Sequence, residues 1–483
     1  MKTIFEKSVP GRAGVDAGLT SISPGKTLGD SCLRRSENGL PEVSELDAVR
    51  HYVRLSQSNF SVDTHFYPLG SCTMKYNPKV NEAVSALPGF IGLHPFMAYL
   101  DEDSVQGALG LLYHLSELLA EVTGMKGVTT QPYAGAHGEL TGILMMAAYH
   151  RSRGNRKKYV IVPEEAHGTN PASATMGGYS VISIPVDNQG GMDVALFKEK
   201  MSDEVAGVML TIPNTLGLFP RGMEEIAQSA REHDALLYND GANLNAILGK
   251  VRPGDVGFDI VHMNLHKTFS TPHGGGGPGS GVVAVSEKLL DFLPVPAVRR
   301  DDGGRYYLDS GVPRSIGPVA SFFGNFAVLV RAFTYIMMLG REGLIDASEK
   351  AVLNANYIRV KLKDYYDLPH DRICMHECVF SARRQVRESG VHAMDIAKAL
   401  IERGFHPPTV YFPLVVEEAM MIEPTETESK ETIDAFIGAM TEIAELAKSD
   451  PDRIVNAPDN TPVTRPDETR AARELKLTWK QDA

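Results

Sequence analysis

Phe258-Asp259-Ile260-Val261-His262-Met263-Asn264-Leu265-His266-Lys267-Thr268-Phe269 is the stretch on which the fold and chemistry of this 483-residue chain turn. Residues 258–263 form a short apolar run of strand type, so Lys267 emerges just past a strand end, where α/β proteins place their sites. A lysine held there, desolvated by backbone and set beside imidazoles, can lose its proton and form a Schiff base. Taken alone, the segment reads equally well as a surface lysine before a flexible loop.

Downstream, Gly274, Gly276 and Gly279 satisfy G-x-G-x-x-G. That fingerprint needs a helix after it, whereas Gly281-Val282-Val283-Ala284-Val285 is strand-like, so a dinucleotide site is rejected. No G-x-x-x-x-G-K-[ST] occurs either. The glycines are expected to let backbone pass closely under a ligand or under Lys267.

Upstream, apolar runs at 159–162, 180–184, 206–210 and 235–238 alternate in part with helical patterns such as 193–201 and 224–233. This alternation predicts an α/β fold, a mostly parallel sheet with helices on both faces and its ligand beyond the strand C-termini. Polar residues stand at those ends: His167, then Asn214, then Asp240 with Ala242, then Lys267. Singly, His167 reads as a loop histidine and Asp240-Gly241 as a turn; together they make a site. Leu109, Leu112, Leu115, Leu119 and Val122 mark an earlier core-facing helix, closed by Gly124. After it, Tyr133-Ala134-Gly135-Ala136-His137-Gly138-Glu139 opens a helix whose free N–H groups suit a phosphate. An ordinary loop-to-helix turn fits that segment equally well, and Glu139 would repel a dianion unless it points away.

Length predicts two or three domains: an arm at 1–60, a large domain at 61–329, a smaller C-terminal α+β domain at 330–455, and an extended tail at 456–483 docked by Trp479. The formal charge of -12 argues against nucleic acid or an anionic membrane as partner. Four cysteines without C-x-x-C, no apolar signal segment, and an apolar run broken by Arg331 point to the cytoplasm. Cys374, His376 and Cys378 would share one face of an extended segment, but without a fourth ligand a small-domain strand is the better reading. Glu417, Glu418, Glu423, Glu426 and Glu428 read as a solvated rim.

An amine, a carboxylate, an imidazole and a phosphate cradle are the parts that hold pyridoxal phosphate. Lys267 would form the Schiff base, and Asp240 would keep a proton on the pyridine nitrogen so that the ring draws electrons from the substrate's α-carbon. His167 would stack on one ring face and Ala242 would leave room at the other. Asn214 would donate to the ring oxygen. Gly135, Ala136 and His137 would cradle the phosphate, with His266 and Thr268 flanking the lysine.

Several motifs carry a family resemblance. They are Pro68-Leu69-Gly70-Ser71-Cys72-Thr73-Met74-Lys75, Ala134 to Glu139, His167-Gly168-Thr169-Asn170-Pro171-Ala172-Ser173-Ala174, and Pro213-Asn214-Thr215-Leu216-Gly217. Asp240-Gly241-Ala242-Asn243, His266-Lys267-Thr268-Phe269, His406-Pro407-Pro408-Thr409 and Glu423-Pro424-Thr425-Glu426 follow in order. The chain resembles the glycine decarboxylase P-proteins of the glycine cleavage system, in particular the second (β) subunit of their two-subunit form. That resemblance implies a fold-type-I pyridoxal phosphate (PLP)-dependent transferase in which Lys267 is the Schiff-base lysine. It also makes the loop at 70–75, by its residues alone a connector, a wall of the site. The activity implied is loss of CO2 from glycine and transfer of the aminomethyl group to the lipoyl arm of H-protein. The partners implied are P-protein subunit 1 (alpha), in an alpha2beta2 assembly, and lipoylated H-protein. Rival readings are another fold-type-I enzyme, an aminotransferase or cysteine-type lyase, and a non-catalytic subunit. Tyr133 and Asn239 depart mildly from the family pattern.

Overall fold

The computed structural model describes residues 2–14, 29–32, 39–274, 279–475 and 477. Trp479 and residues 275–278 of the glycine run lie outside the described residues. Residues 66–459 form one compact unit, and 1–65 with 460–483 form a second.

In the larger unit the strands are β1 (Gly127–Thr129), β2 (Tyr159–Pro163), β3 (Ser180–Ile184), β4 (Val205–Thr211), β5 (Leu236–Gly241), β6 (Ile260–Asn264) and β7 (Gly281–Val285). They make a seven-stranded sheet in the order β1-β7-β6-β5-β4-β2-β3. From β3 across to β6 the pairing is parallel; β7 and β1 close that edge antiparallel. The reversal follows from the connection, because among its described residues the chain between β6 and β7 carries one short helical turn and no crossover helix to bring it back parallel.

Strands β5 to β7 divide their side chains between two cores. Leu237, Val261, Met263, Val282 and Ala284 pack with helix Gln106–Thr123 and the first half of helix Phe326–Leu362. Leu236, Tyr238, Ile260, Val283 and Val285 pack under helix Gly135–Ser152. That helix lies very close to the sheet because its inner face carries glycines. A Cβ at Gly138 would stand 2.4 Å from the Gly281 carbonyl oxygen, and one at Gly142 would stand 2.3 Å from the Tyr238 ring. At its first residue, a Cβ on Gly135 would stand 2.9 Å from the Asn264 side chain, at the end of β6. The helix N-terminus is thereby set against the carboxyl edge of the sheet.

Helix Phe326–Leu362 is one element with a break at Gly340 (φ 60°, ψ -171°). After the hairpin β8 (Ala297–Arg300) and β9 (Tyr306–Asp309), a second sheet comprises β10 (Cys378–Ser381), β11 (Thr409–Val410) and β12 (Ala419–Ile422), in the order β10-β12-β11 and antiparallel. Helices Ala393–Glu402 and Lys430–Ser449 cover it.

Two expectations for this region are corrected. The strand expected here starts only at Cys378, because the chain bends at Met375 and His376, so Cys374, His376 and Cys378 do not share one extended face. The acidic stretch is not one solvated rim: Glu417 is exposed, but Glu423 is fully buried and the Glu426 side chain only 7% exposed, because β12 delivers the chain into the core.

In the smaller unit, helix Glu45–Gln57 is capped by the Ser44 hydroxyl, and Lys7 Nζ lies 2.9 Å from His51 Nδ1. The tail is not wholly extended, since Asp467 caps a short helix, Glu468–Arg473, and Arg470 pairs with Glu474 at 3.0 Å. No helix among the described residues is long and apolar enough to cross a membrane.

The glycine packing is directly testable. Gly142→Ala is expected to cost about 1–3 kcal/mol by overpacking. Gly107→Ala, in open space on helix Gln106–Thr123, is expected to be neutral or slightly stabilising, as measured by urea unfolding.

Candidate active site

Asp240 on β5 stands directly opposite His262 on β6. Both lie on the face covered by helix Gly135–Ser152. The Asp240 Oδ1 atom is 3.1 Å from His262 Nε2 and accepts the Ala242 N–H at 2.9 Å. His262 Nδ1 is 3.1 Å from the Tyr238 hydroxyl, which also reaches the Gly138 carbonyl at 3.3 Å. Burial alone would push the Asp240 carboxyl up, but the His262 charge and hydrogen bond, the Ala242 N–H and Lys267 outweigh it and hold the group well below the usual carboxylate range. Burial pulls His262 down, and the Asp240 charge and hydrogen bond more than reverse this, so the imidazole is raised. Asp240 therefore stays anionic, with Oδ2 keeping one long contact, to the Thr211 hydroxyl at 3.5 Å.

Lys267 sits in the helical turn Leu265–Thr268 directly after β6. It shares a cavity of about 160 Å³ with Asp240, Ala242, His167, Gly135 and Ala136. The structure thus brings these six sequence-derived residues together. His167 lies at the exposed mouth, 2.8 Å from the Thr169 hydroxyl and edge-on to Phe412. Burial of its ring, and then Lys267, lower its basicity and favour the neutral imidazole.

Three expected contacts are committed elsewhere, and the fourth, the Thr268 hydroxyl, is buried without a hydrogen-bond partner among the described residues. The Asn214 amide donates to the Gly190 carbonyl at 2.6 Å and accepts the N–H groups of Leu216 and Leu218, stitching its own turn. His137 accepts the Tyr133 N–H and meets the Val319 carbonyl, which fixes the start of its helix. His266 accepts the Ser280 N–H and stands edge-on to His273; burial, His273 and Lys267 drive it down to about 3. Thr268 is fully buried and offers its carbonyl to Lys75.

One further wall residue, His262, is not evident as such in the sequence. His262 lies inside an apolar run and reads as a core histidine; only its place opposite Asp240 reveals it. Glu139 turns to the hydroxyls of Thr169 and Ser173 at 2.9 and 3.2 Å. Burial and Asp240 raise its carboxyl, which weakens its repulsion of an anion at the helix mouth. Ser71, from the loop at 70–75, also lines the cavity. In that loop Lys75 is fully buried, and its ammonium donates to Asn245 Oδ1 (2.8 Å), the Thr268 carbonyl (2.8 Å), the Tyr335 hydroxyl (3.2 Å) and Glu426 Oε1 (2.7 Å).

The donor set fits pyridoxal phosphate. The N-cap, Ala134, supplies no side-chain acceptor, so the first-turn N–H groups at Gly135 and Ala136 remain for an anion. An amine and an anionic carboxylate face the same space.

This sheet, with its lysine one turn past a strand and its carboxylate on the next strand, defines the class of fold-type-I pyridoxal phosphate enzymes. A family model described as "Glycine cleavage system P-protein" matches residues 24–301, and one described as "Glycine dehydrogenase, C-terminal domain" matches 347–465. The chain belongs to the glycine cleavage system P-protein family. It is 57% identical over 448 residues to the probable glycine dehydrogenase (decarboxylating) subunit 2 of Caldanaerobacter subterraneus subsp. tengcongensis, covering 92% of this chain and 91% of that one. It is 54% identical to the like-named protein of Thermotoga petrophila, covering 99% and 100%. Among solved structures, an inhibitor-bound glycine decarboxylase (P-protein) of the glycine cleavage system shares the fold, with TM-score 0.71 at 22% identity, covering 88% of this chain and 95% of that one.

Lys75→Met is expected to lower the unfolding free energy by about 3–5 kcal/mol, because Glu426 is left buried without its cation. Adding Glu426→Gln should recover part of the loss in denaturant unfolding, and a single variant within about 1 kcal/mol of wild type would contradict the pairing.

Proposed function

We propose that this chain is the pyridoxal phosphate-bearing β subunit of a glycine dehydrogenase (decarboxylating). In this reading it removes CO2 from glycine and passes the aminomethyl group to the lipoyl arm of H-protein. It works in the cytoplasm beside a related α subunit in an alpha2beta2 assembly. The observation that carries the reading is the meeting of Lys267 Nζ, an anionic Asp240 and an uncapped helix N-terminus around one cavity. Glycine is favoured over the larger substrates of aminotransferases and cysteine-type lyases by the near full-length relatives, which are named for glycine.

When bound, the cofactor supplies an electron sink for the bond that breaks at the substrate's α-carbon. Lys267 holds it through Nζ and gives up and takes back a proton there. Asp240, kept anionic by His262 and the Ala242 N–H, holds a proton on the ring nitrogen. Tyr238 fixes the imidazole that fixes Asp240. The N–H groups at Gly135 and Ala136 would bind the phosphate, and the His167 imidazole would meet the ring at the mouth of the cavity. The Lys75 ammonium holds the Thr268 carbonyl, and with it the turn that presents Lys267.

The test is exchange of labelled bicarbonate into the carboxyl of glycine, with the chain, its α partner and H-protein. Wild type should incorporate label. Lys267→Ala should abolish it, and Asp240→Asn should reduce it about a hundred-fold, the equivalent of about two pKa units on the ring nitrogen. Undiminished exchange by the Lys267→Ala protein would overturn the reading.

A further inference from the structure

A second buried cluster lies against the loop at 71–73, and none of its members lines the cavity around Lys267. His376, Glu377 and Glu423 are all fully buried, and one donor atom of each lies within 4.8 Å of the other two. The bend at Met375 and His376 lets adjacent side chains face one centre, and Glu423 reaches it from the end of β12, the neighbour of β10. One oxygen of each carboxyl is taken: Glu377 Oε2 accepts the Ser71 N–H at 2.8 Å, and Glu423 Oε2 accepts those of Cys72 and Thr73 at 3.2 and 2.8 Å. The other oxygen of each carboxyl, and both ring nitrogens of His376, have no hydrogen-bond partner among the described residues. His376 Nε2 stands 3.7 Å from Glu377 Oε1 and 3.9 Å from Glu423 Oε1.

Three polar atoms turned towards one another in a dry interior are costly unless something binds them. At these spacings they are too far apart to hydrogen-bond one another, yet close enough for one ion to reach each of them at about 2.0–2.2 Å. The donor chemistry selects the ion. Calcium and magnesium favour all-oxygen shells, whereas an imidazole nitrogen with two carboxylates suits zinc. Two carboxylates and a neutral imidazole also carry the charge that one dication cancels. No lysine or arginine among the described residues stands within 4.0 Å of either carboxyl, and Lys267 acts on them only from beyond that reach. The N–H groups on the far carboxyl oxygens are the outer support that ligating carboxylates usually carry.

We propose that His376 Nε2, Glu377 Oε1 and Glu423 Oε1 bind one zinc ion, with a water in its fourth position. The ion is structural. It keeps both carboxylates charged, and charged acceptors hold the N–H groups of Ser71, Cys72 and Thr73 more firmly than neutral ones. The loop needs such support, because Ser71 and Thr73 adopt φ of 64° and 47°, a left-handed conformation that is unfavourable for residues with side chains. Ser71 in turn lines the cavity around Lys267, so the ion braces one wall of the site without taking part in its chemistry.

The test uses the full chain without cofactor, produced in zinc-supplemented medium, desalted, and assayed for metal by plasma mass spectrometry. Wild type should carry about one zinc per chain, and so should Cys374→Ser. His376→Gln and Glu423→Gln should carry at least about ten-fold less, while glutamine at 423 keeps an acceptor for the loop N–H groups. Zinc added to chelator-stripped wild type should raise its melting temperature and leave that of Glu423→Gln unchanged. X-ray absorption at the zinc edge of wild type should show nitrogen and oxygen neighbours at about 2.0–2.2 Å and no sulfur at about 2.3 Å, and it decides the matter if the variants do not fold. A wild-type chain without stoichiometric zinc, zinc kept by both ligand variants, or a sulfur neighbour to the metal would each overturn the proposal. None of these readouts needs the cofactor or turnover, so failure here is distinct from failure of the exchange assay.

Discussion

A lysine ammonium buried among four oxygens holds the active site of this chain in register. Lys75 reaches Asn245 just past β5, the Thr268 carbonyl beside Lys267, Tyr335 on the long helix, and Glu426 beyond β12. A buried charge is tolerated only when fully solvated by the protein. Each of those four segments must therefore be in place at once, or the ammonium is left uncompensated. The turn carrying Lys267 is tied in this way to both sheets.

Around that pin the electrostatics are divided. Asp240 is held anionic by an imidazole, a backbone N–H and Lys267, whereas Glu139 is pushed towards its neutral form by burial and by Asp240. Carboxyl groups lining one cavity thus differ in charge because they differ in partners. The glycines of helix Gly135–Ser152 serve the same end by steric means, since a helix with side chains at Gly138 and Gly142 could not place its N-terminus so near the strand ends.

Much of this was legible in the residues. The parallel strands announce themselves as short apolar runs, and polar groups at their ends marked the rim where Lys267, Asp240 and His167 meet. What was hidden has physical causes. His262 sits at a position of alternation that a core residue would fill, and its role depends on register with Asp240. Asn214 reads as a ligand contact because it is polar and follows a strand, yet its amide closes the turn after β4. Glu423 and Glu426 look solvated beside Glu417, but the chain enters the core between them. Strand β1 is three residues long, too short to show a period.

The most direct measurement is borohydride reduction of the cofactor-loaded chain followed by peptide mapping. A pyridoxyl group on the peptide bearing Lys267, and absent from it after Lys267→Ala, is the expected result. A label on Lys75 or any other lysine, or no stable label at all, would contradict Lys267 as the amine at the centre of the site.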